Sequence, residues 1–558
     1  MLSLMFLISG VSVFIPFIFS RSTLDPVLPV RFLIWAVLTF CLVSLILFKG
    51  QKEKTGSFFT RGVFYALGCF LLINAFSLTR AINLGEGIYE WLKIFLASAF
   101  FYASSVILGR NDKGIIYLTR SVIICGMLLA LIGILQYLGN SFISIPGYYI
   151  IYATMANTNL LASGLFLTLP FLLFGIFKLS SLWKITSWIS LVIVISAIAM
   201  CGTRTVCVAI IISGSAVLPL FIYIHRKKTV DKKYYILGLS VLIIILICPV
   251  IVISALRFSF NETSGCAVFS TASFQERKVL WSKTWDMIRE RPFLGVGPGQ
   301  WKIVLPSYGK VEKNIESEEG KFEVLFQRPH NDYLWVLSET GLAGLFFYLA
   351  FFMFVISYSL KTVFKHNNSD KKMLSVLMLF GILGYMVIGF FSFPKERPFH
   401  LIFLMLIASC IVSTYHCAFS FQKKGYSPKP GQISVLILLA FCIFFGYSRM
   451  VSEIHARRAL DARNALQWER VIAEIDEADK WFYNMDPSST PLSWYKGMAN
   501  FSQGRISDAL DDFKRACEIN PYHVHALNNA ATCFAMSGDS ENALEYLKRA
   551  IAVSPFIY

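Results

Sequence analysis

Long apolar runs alternate with short charged connections along most of this 558-residue chain. The runs fall near 2–20, 32–48, 62–79, 91–109, 115–137, 158–178, 183–201, 205–224, 235–256, 341–360, 373–393, 400–420 and 432–449. A helix needs about 20 predominantly apolar residues to cross a bilayer, so the pattern predicts roughly 12 or 13 membrane-spanning helices. Two hydrophilic stretches break it. The expected organisation is spans one to nine over 1–256, a large loop over 257–340, spans ten to thirteen over 341–450, and a soluble tail over 451–558.

Composition agrees with that reading. The chain is 56% hydrophobic with a mean hydropathy of +0.61, too apolar for an ordinary soluble protein. A net charge of +17 would suit a nucleic-acid binder, but the Lys and Arg sit mostly in connections between apolar runs, which excludes that class. Met1 to Ser20 has no basic residue and no small-residue cleavage site, so a retained first span is expected. The 12 cysteines lie mostly inside spans, without metal-ligand spacing, and read as small apolar side chains.

The placement of charge predicts an orientation. With a cytoplasmic N-terminus, the inside connections carry Lys49, Lys52, Lys54 and Arg61, then Arg110 and Lys113, then Lys178 and Lys184. They continue with Arg226 to Lys233, with Lys361, Lys365, Lys371 and Lys372, and with Lys423, Lys424 and Lys429. The short outside connections carry only Arg21, Arg31, Arg80, Arg204, Lys395 and Arg397. Cytoplasmic loops collect basic residues, so the loop and the tail are both expected outside the cytoplasm.

The tail repeats. Gly504, Ala509, Ala516 and Pro521 recur 34 residues later as Gly538, Ala543, Ala550 and Pro555, the period and pattern of tetratricopeptide helix pairs. Pro487 lies one period upstream, which makes Glu453 to Pro487 a degenerate first unit. Such arrays present a concave face that suits a peptide or protein partner, or serve as a packing module.

Four motifs gather on the expected outer side. They are Asn157 and Asn159 in Met155-Ala-Asn-Thr-Asn-Leu-Leu-Ala162, and Arg204 in Gly202-Thr-Arg-Thr205. In the loop come Arg277-Lys-Val-Leu-Trp281 with Pro292-Phe-Leu-Gly-Val-Gly-Pro-Gly-Gln-Trp301, then Arg328-Pro-His-Asn-Asp-Tyr-Leu334 running to Glu339-Thr-Gly-Leu342. Over about residues 1–425 the set resembles the bacterial O-antigen ligase, O-antigen polymerase and O-linked oligosaccharyltransferase superfamily. The resemblance implies an all-α, GT-C-like polytopic protein of the bacterial inner membrane with its active site and tail periplasmic. It also implies an undecaprenyl-diphosphate-linked glycan donor, an acceptor hydroxyl, and no cofactor or required metal.

The residue types suit that chemistry. A sugar leaves a diphosphate only if the charge developing on the leaving group is held, and arginine binds phosphate oxygens with a planar fork that keeps its proton. Arg204, between two spans at the membrane surface, is costly there unless it faces an anion or water; its bland alternative is a snorkelling side chain. Arg277 is the second candidate for the diphosphate and Arg328 a third, Arg277 having a solvated helix face as its alternative. His330, the sole histidine of the loop, is the candidate general base, taking the proton of the acceptor hydroxyl; the alternative is a structural residue at the start of a helix. Asn331 or Asp332 orients the imidazole or caps that helix. Asn157 and Asn159 mark the side of lipid access or cap span six. Glu339 is read as structural beside a turn at Gly341, and Gly295 to Gly299 as a tight turn rather than a nucleotide loop, because no βαβ unit surrounds it.

Three acceptors fit the motifs equally: a sugar of the lipid A core, a Ser or Thr of an exported protein, or another repeat unit, as in a polymerase. A transporter of lipid-linked sugars is the competing class. It predicts mid-span charges and broken helices in matching halves, and no internal duplication is present. A scaffold without catalysis would make Arg204, Arg277 and His330 dispensable.

Overall fold

The computed structural model describes residues 2–50, 61–110, 112–140, 145–147, 149–226, 271–309, 316–317, 320–321, 326–419 and 430–554. Helices dominate it. The first is α1 (Leu2–Phe14), followed by α2 (Leu28–Gly50), α3 (Arg61–Ser77), α4 (Leu84–Arg110) and α5 (Asp112–Tyr137). Next come α6 (Thr158–Lys178), α7 (Ser181–Cys201), α8 (Arg204–Arg226), α9 (Thr271–Glu290) and the single turn α10 (Trp301–Val304). The remaining spans are α11 (Asp332–Lys365), α12 (Ser369–Phe391), α13 (Pro398–Phe419) and α14 (Pro430–Asn464). The tail adds α15 (Trp468–Ala478), α16 (Leu492–Ser502), α17 (Ile506–Ile519), α18 (Val524–Met536) and α19 (Ser540–Val553).

Eleven of the described helices are long and apolar enough to cross a membrane. The first expected span corrects to something shorter. A 3-10 turn over Ile15–Phe17, with Pro16 supplying no amide donor, ends α1 after 13 residues. At 1.5 Å per residue that is about 20 Å, short of a hydrocarbon core of roughly 30 Å. The expected span over 235–256 lies outside the described residues. Helix α6 is buried along nearly its whole length, so the other spans surround it.

Turns between spans alternate between two faces. On one, Arg397 meets Asp25 (3.2 Å), Asn83 Nδ2 donates to Asn484 (2.8 Å), and Lys302 pairs with Glu86 (2.9 Å). On the opposite face Lys178 pairs with Asp370, and the Cys417 thiol donates to the Gly109 carbonyl. The first face carries the large loop and the tail together. Ile303 of the loop packs with Met485 and Ile519 of the tail, and against Ile82 in the connection between α3 and α4.

The tail is a stack of antiparallel helix pairs. Gly504 and Gly538, 34 residues apart, both take left-handed φ (+77° and +80°) at the turn inside a pair. Ala509, Ala516, Ala543 and Ala550 are buried where paired helices touch. The expected boundary near 451 is not a break. Helix α14 runs unbroken from the membrane through Asn464, and α15 packs back on it as the second helix of the first pair.

Candidate active site

Two loop motifs 44 residues apart in sequence dock on each other to frame the site. The Val296 amide donates to the Ser338 carbonyl and the Gly297 amide to that of Glu339, both at 2.9 Å, while the Leu342 amide donates to the Pro292 carbonyl at 2.8 Å. The backbones approach so closely that a Cβ on Gly295 would lie 2.4 Å from the Glu339 carbonyl carbon. On Gly341, at φ +67°, it would lie 2.1 Å from that of Phe293. Glycine is required at both. The run from Gly295 to Gly299 is thus a turn that seats the start of α11. Glu339 holds it further, its Oε1 accepting from the Trp301 amide at 3.3 Å. Gln300 clamps the same turn to the bundle by exchanging two hydrogen bonds with the Asn83 backbone, at 2.8 and 2.9 Å.

His330 stands just ahead of α11. Asn331 caps that helix, its Oδ1 accepting from the amides of Tyr333 (2.9 Å) and Leu334 (3.0 Å). Asp332 is fully buried, and its Oδ2 accepts from the Lys395 amide at 3.1 Å. Both neighbours therefore anchor the turn. His330 itself takes φ +54°, a strained value for a residue with a Cβ, and sets its ring edge-on to Phe393 at 5.0 Å. The preceding carbonyl, of Pro329, accepts from Trp281 Nε1 at 2.8 Å.

Trp281 links this turn to the arginines. Arg277 lies one helical turn before it on α9, on the same face. Burial lowers the affinity of the Arg277 guanidinium for its proton, Glu276 opposes that, and the positive charge of Arg204 lowers it further. The two arginines are therefore within electrostatic reach of each other, Glu276 acting more strongly on Arg277 than Arg204 does. Arg204 is also the first residue of α8, after a left-handed turn at Gly202. A helix N-terminus already carries partial positive charge, so a cation there makes an anion the fitting occupant.

Arg328 sits differently. Its Nε stands 2.5 Å from Glu396 Oε2, in charge contact but outside hydrogen-bond alignment, and its guanidinium lies 5.0 Å from the Phe393 ring. Burial by itself would raise the Glu396 carboxyl; Arg328, Arg397 and Lys93 override it and hold that group at about 2. Asn157 caps α6, accepting from the amides of Asn159 and Leu160 and donating to the Tyr149 hydroxyl. Asn159 is exposed beside it.

The structure thus gathers Arg328, His330, Asn331 and Asp332 in one turn, brings Arg204 within electrostatic reach of Arg277, and leaves Asn157 and Asn159 in a separate cap. The sequence reading had Trp281 as the end of the Arg277 motif but without a partner, and it missed Phe393 and Glu396. Its one signal was the alternation of acid and base in Pro394-Lys-Glu-Arg-Pro398, counted there only for its charge. No group of three or more His, Cys, Asp or Glu among the described residues is placed to hold a metal.

A family model described as O-antigen ligase matches residues 189–349, from within α7 to within α11. The matched stretch contains Arg204, Arg277, Arg328 and His330 and excludes the tail. No curated protein matches the chain. The family match supports the O-antigen ligase superfamily for this membrane-embedded chain, and with it a glycosyltransferase-type activity.

Proposed function

We propose that this chain transfers a glycan from a polyprenyl diphosphate to an acceptor hydroxyl outside the cytoplasm. The observation that supports the reading is that Trp281, one turn along the helix of Arg277, donates to the turn of His330, with Arg204 within electrostatic reach of Arg277. The donor diphosphate lies between the two guanidiniums. His330 accepts the proton of the acceptor hydroxyl as that oxygen attacks the anomeric carbon. The bond from that carbon to the diphosphate oxygen breaks, and the pair of electrons leaves on the phosphate, where the arginines neutralise it. Asn331, Asp332 and the Gly295 turn act by positioning His330.

The face bearing Lys113, Lys178, Lys184, Lys365 and Lys371 is the one the distribution of charge assigns to the cytoplasm, which makes the loop face periplasmic in an inner membrane. Transfer en bloc to a lipid A core sugar or to Ser or Thr of an exported protein is the leading form. Polymerisation onto a second repeat unit uses the same groups. The helical-repeat tail, read as tetratricopeptide units on the same face as the loop, favours a peptide or protein partner.

The test is purified protein in vesicles with a polyprenyl-diphosphate glycan and each acceptor in turn. Transfer that stops with His330→Ala while donor binding persists supports the reading. Undiminished transfer by that variant overturns it.

A further inference from the structure

Helices α5 and α7 pack side by side, and both begin on the face opposite the loop and the tail, next to Gly109 and Lys178. Eight residues past the first of α5 stands an arginine that none of the chemistry above uses. Arg120 is half-buried, its Nε is enclosed without a hydrogen-bond partner, and it makes no ion pair among the described residues. Its contacts are aromatic instead. The guanidinium lies over the ring of Trp183, 5.2 Å from its centre, and 5.9 Å from that of Tyr117.

A charge without a counter-charge is costly inside a span, and its usual reason is a ligand or a wet surface. The Arg120 backbone lies about 12 Å along α5 from the first residue, whereas Trp183 is the third residue of α7. The side chain therefore runs back towards the helix ends, where tryptophan marks the boundary between hydrocarbon and headgroups. The two rings hold the guanidinium there and leave its Nη groups for phosphate oxygens, in the bidentate contact that an ammonium does not make.

The surrounding surface has the polarity of a phospholipid. Lys113, Tyr117 and Arg120 follow at helical spacing on a stripe of α5 that continues inwards to Leu128 and Leu131, both exposed. On α7, Leu182, Ile185 and Ile189 are exposed too. Cationic and aromatic groups thus stand at the helix ends, and bare apolar surface runs inwards from them. Over 112–120 and 181–184 one acid, Asp112, stands against three bases, Lys113, Arg120 and Lys184. That excess disfavours the ammonium of a zwitterionic headgroup and selects one of net negative charge. We propose that Arg120, Tyr117 and Trp183 bind the phosphate of an anionic phospholipid in the leaflet away from the loop. The site stands apart from the transfer proposed above and does not rest on it.

The test is native mass spectrometry of the full chain in detergent, titrated with phosphatidylglycerol or phosphatidylcholine, with inorganic phosphate as competitor. Phosphatidylglycerol is expected to bind more tightly than phosphatidylcholine and to stay bound in excess inorganic phosphate. Arg120→Gln should weaken the tightest-bound phosphatidylglycerol by about tenfold or more, the usual worth of a charge-assisted contact. Trp183→Leu should weaken it about two- to fivefold, the worth of a cation–π contact, and replaces the first variant if that one fails to fold. Arg120→Lys, which keeps the charge without the fork, should fall between Arg120→Gln and the wild type. Lys365→Gln removes one charge from the same face and should bind like the wild type. An equal loss in Lys365→Gln makes the attraction one of total charge and overturns the site. Undiminished binding by Arg120→Gln, equal affinity for phosphatidylcholine, or displacement by inorganic phosphate overturns it as well.

Discussion

Two sets of arginines on the same face are handled in opposite ways. Arg204 and Arg277 lie within electrostatic reach of each other, with Glu276 beside Arg277 on its own helix. Arg328, Arg397 and Arg449 are interleaved with Glu396, Asp25, Glu86 and Glu453, each cation meeting an acid from another part of the chain. Two cations brought near each other from separate segments favour an anion between them. Charge of alternating sign holds separate segments together and leaves little for a ligand. The first arrangement suits a substrate, the second an interface, and arginine alone does not tell them apart.

Substitutions can break this contrast. The largest effect is expected at the group between the two sets. His330→Ala should cut glycan transfer by about 10² to 10⁴, the usual worth of a positioned base, with the melting temperature nearly unchanged. Next comes the interface. Arg449→Met leaves buried Glu86 with Lys302 alone and takes the cation from buried Glu453, and should cost up to about 3–5 kcal/mol of stability, seen in thermal unfolding and in faster protease nicking of the tail. An unchanged melting temperature would show that this network holds nothing. Arg204→Lys should do the reverse: transfer falls roughly 10- to 100-fold as a bidentate contact is lost, while stability does not fall. A drop in stability there would make Arg204 part of the scaffold.

The last effect is a pH dependence, confined to acid. Glu396 is held at about 2 against an ordinary value of 4.5. A depressed carboxyl stabilises the fold above its unfolded value and loses that contribution as pH falls through the folded one. The wild type should therefore lose up to about 3 kcal/mol between those two values that Glu396→Gln, already weaker at neutral pH, does not lose. Parallel slopes in acid unfolding for the two proteins would remove Glu396 from the interface.

Much of this was legible along the chain because it is local. Apolar length marks each span, basic residues mark one set of connections, and the 34-residue period marks the helix pairs. Proline and glycine placed the turns. What the sequence does not carry is which turn meets which. The Gly295 turn seats on Glu339 to Gly341, Gln300 on Asn83, and Arg328 on Glu396, each pairing spanning dozens of residues or more. The approach of Arg204 to Arg277 is of the same kind, for each motif reads only its own surroundings. The shortening of α1 at Pro16 and the length of α14 escaped for another reason. A hydropathy window registers apolar length, whereas a helix ends only where its hydrogen bonds do.

That last point has a mechanical consequence. Helix α14 is 35 residues long, about 52 Å, and it crosses the membrane and enters the tail without a joint. A flexible tether lets a bound partner sample many positions, at an effective concentration that falls with its length. A rigid strut removes that freedom. On the function proposed above, a partner bound by the tail would be presented at one height and one bearing relative to the spans, so cargo of the wrong length would be kept from His330 as firmly as the right cargo is brought to it.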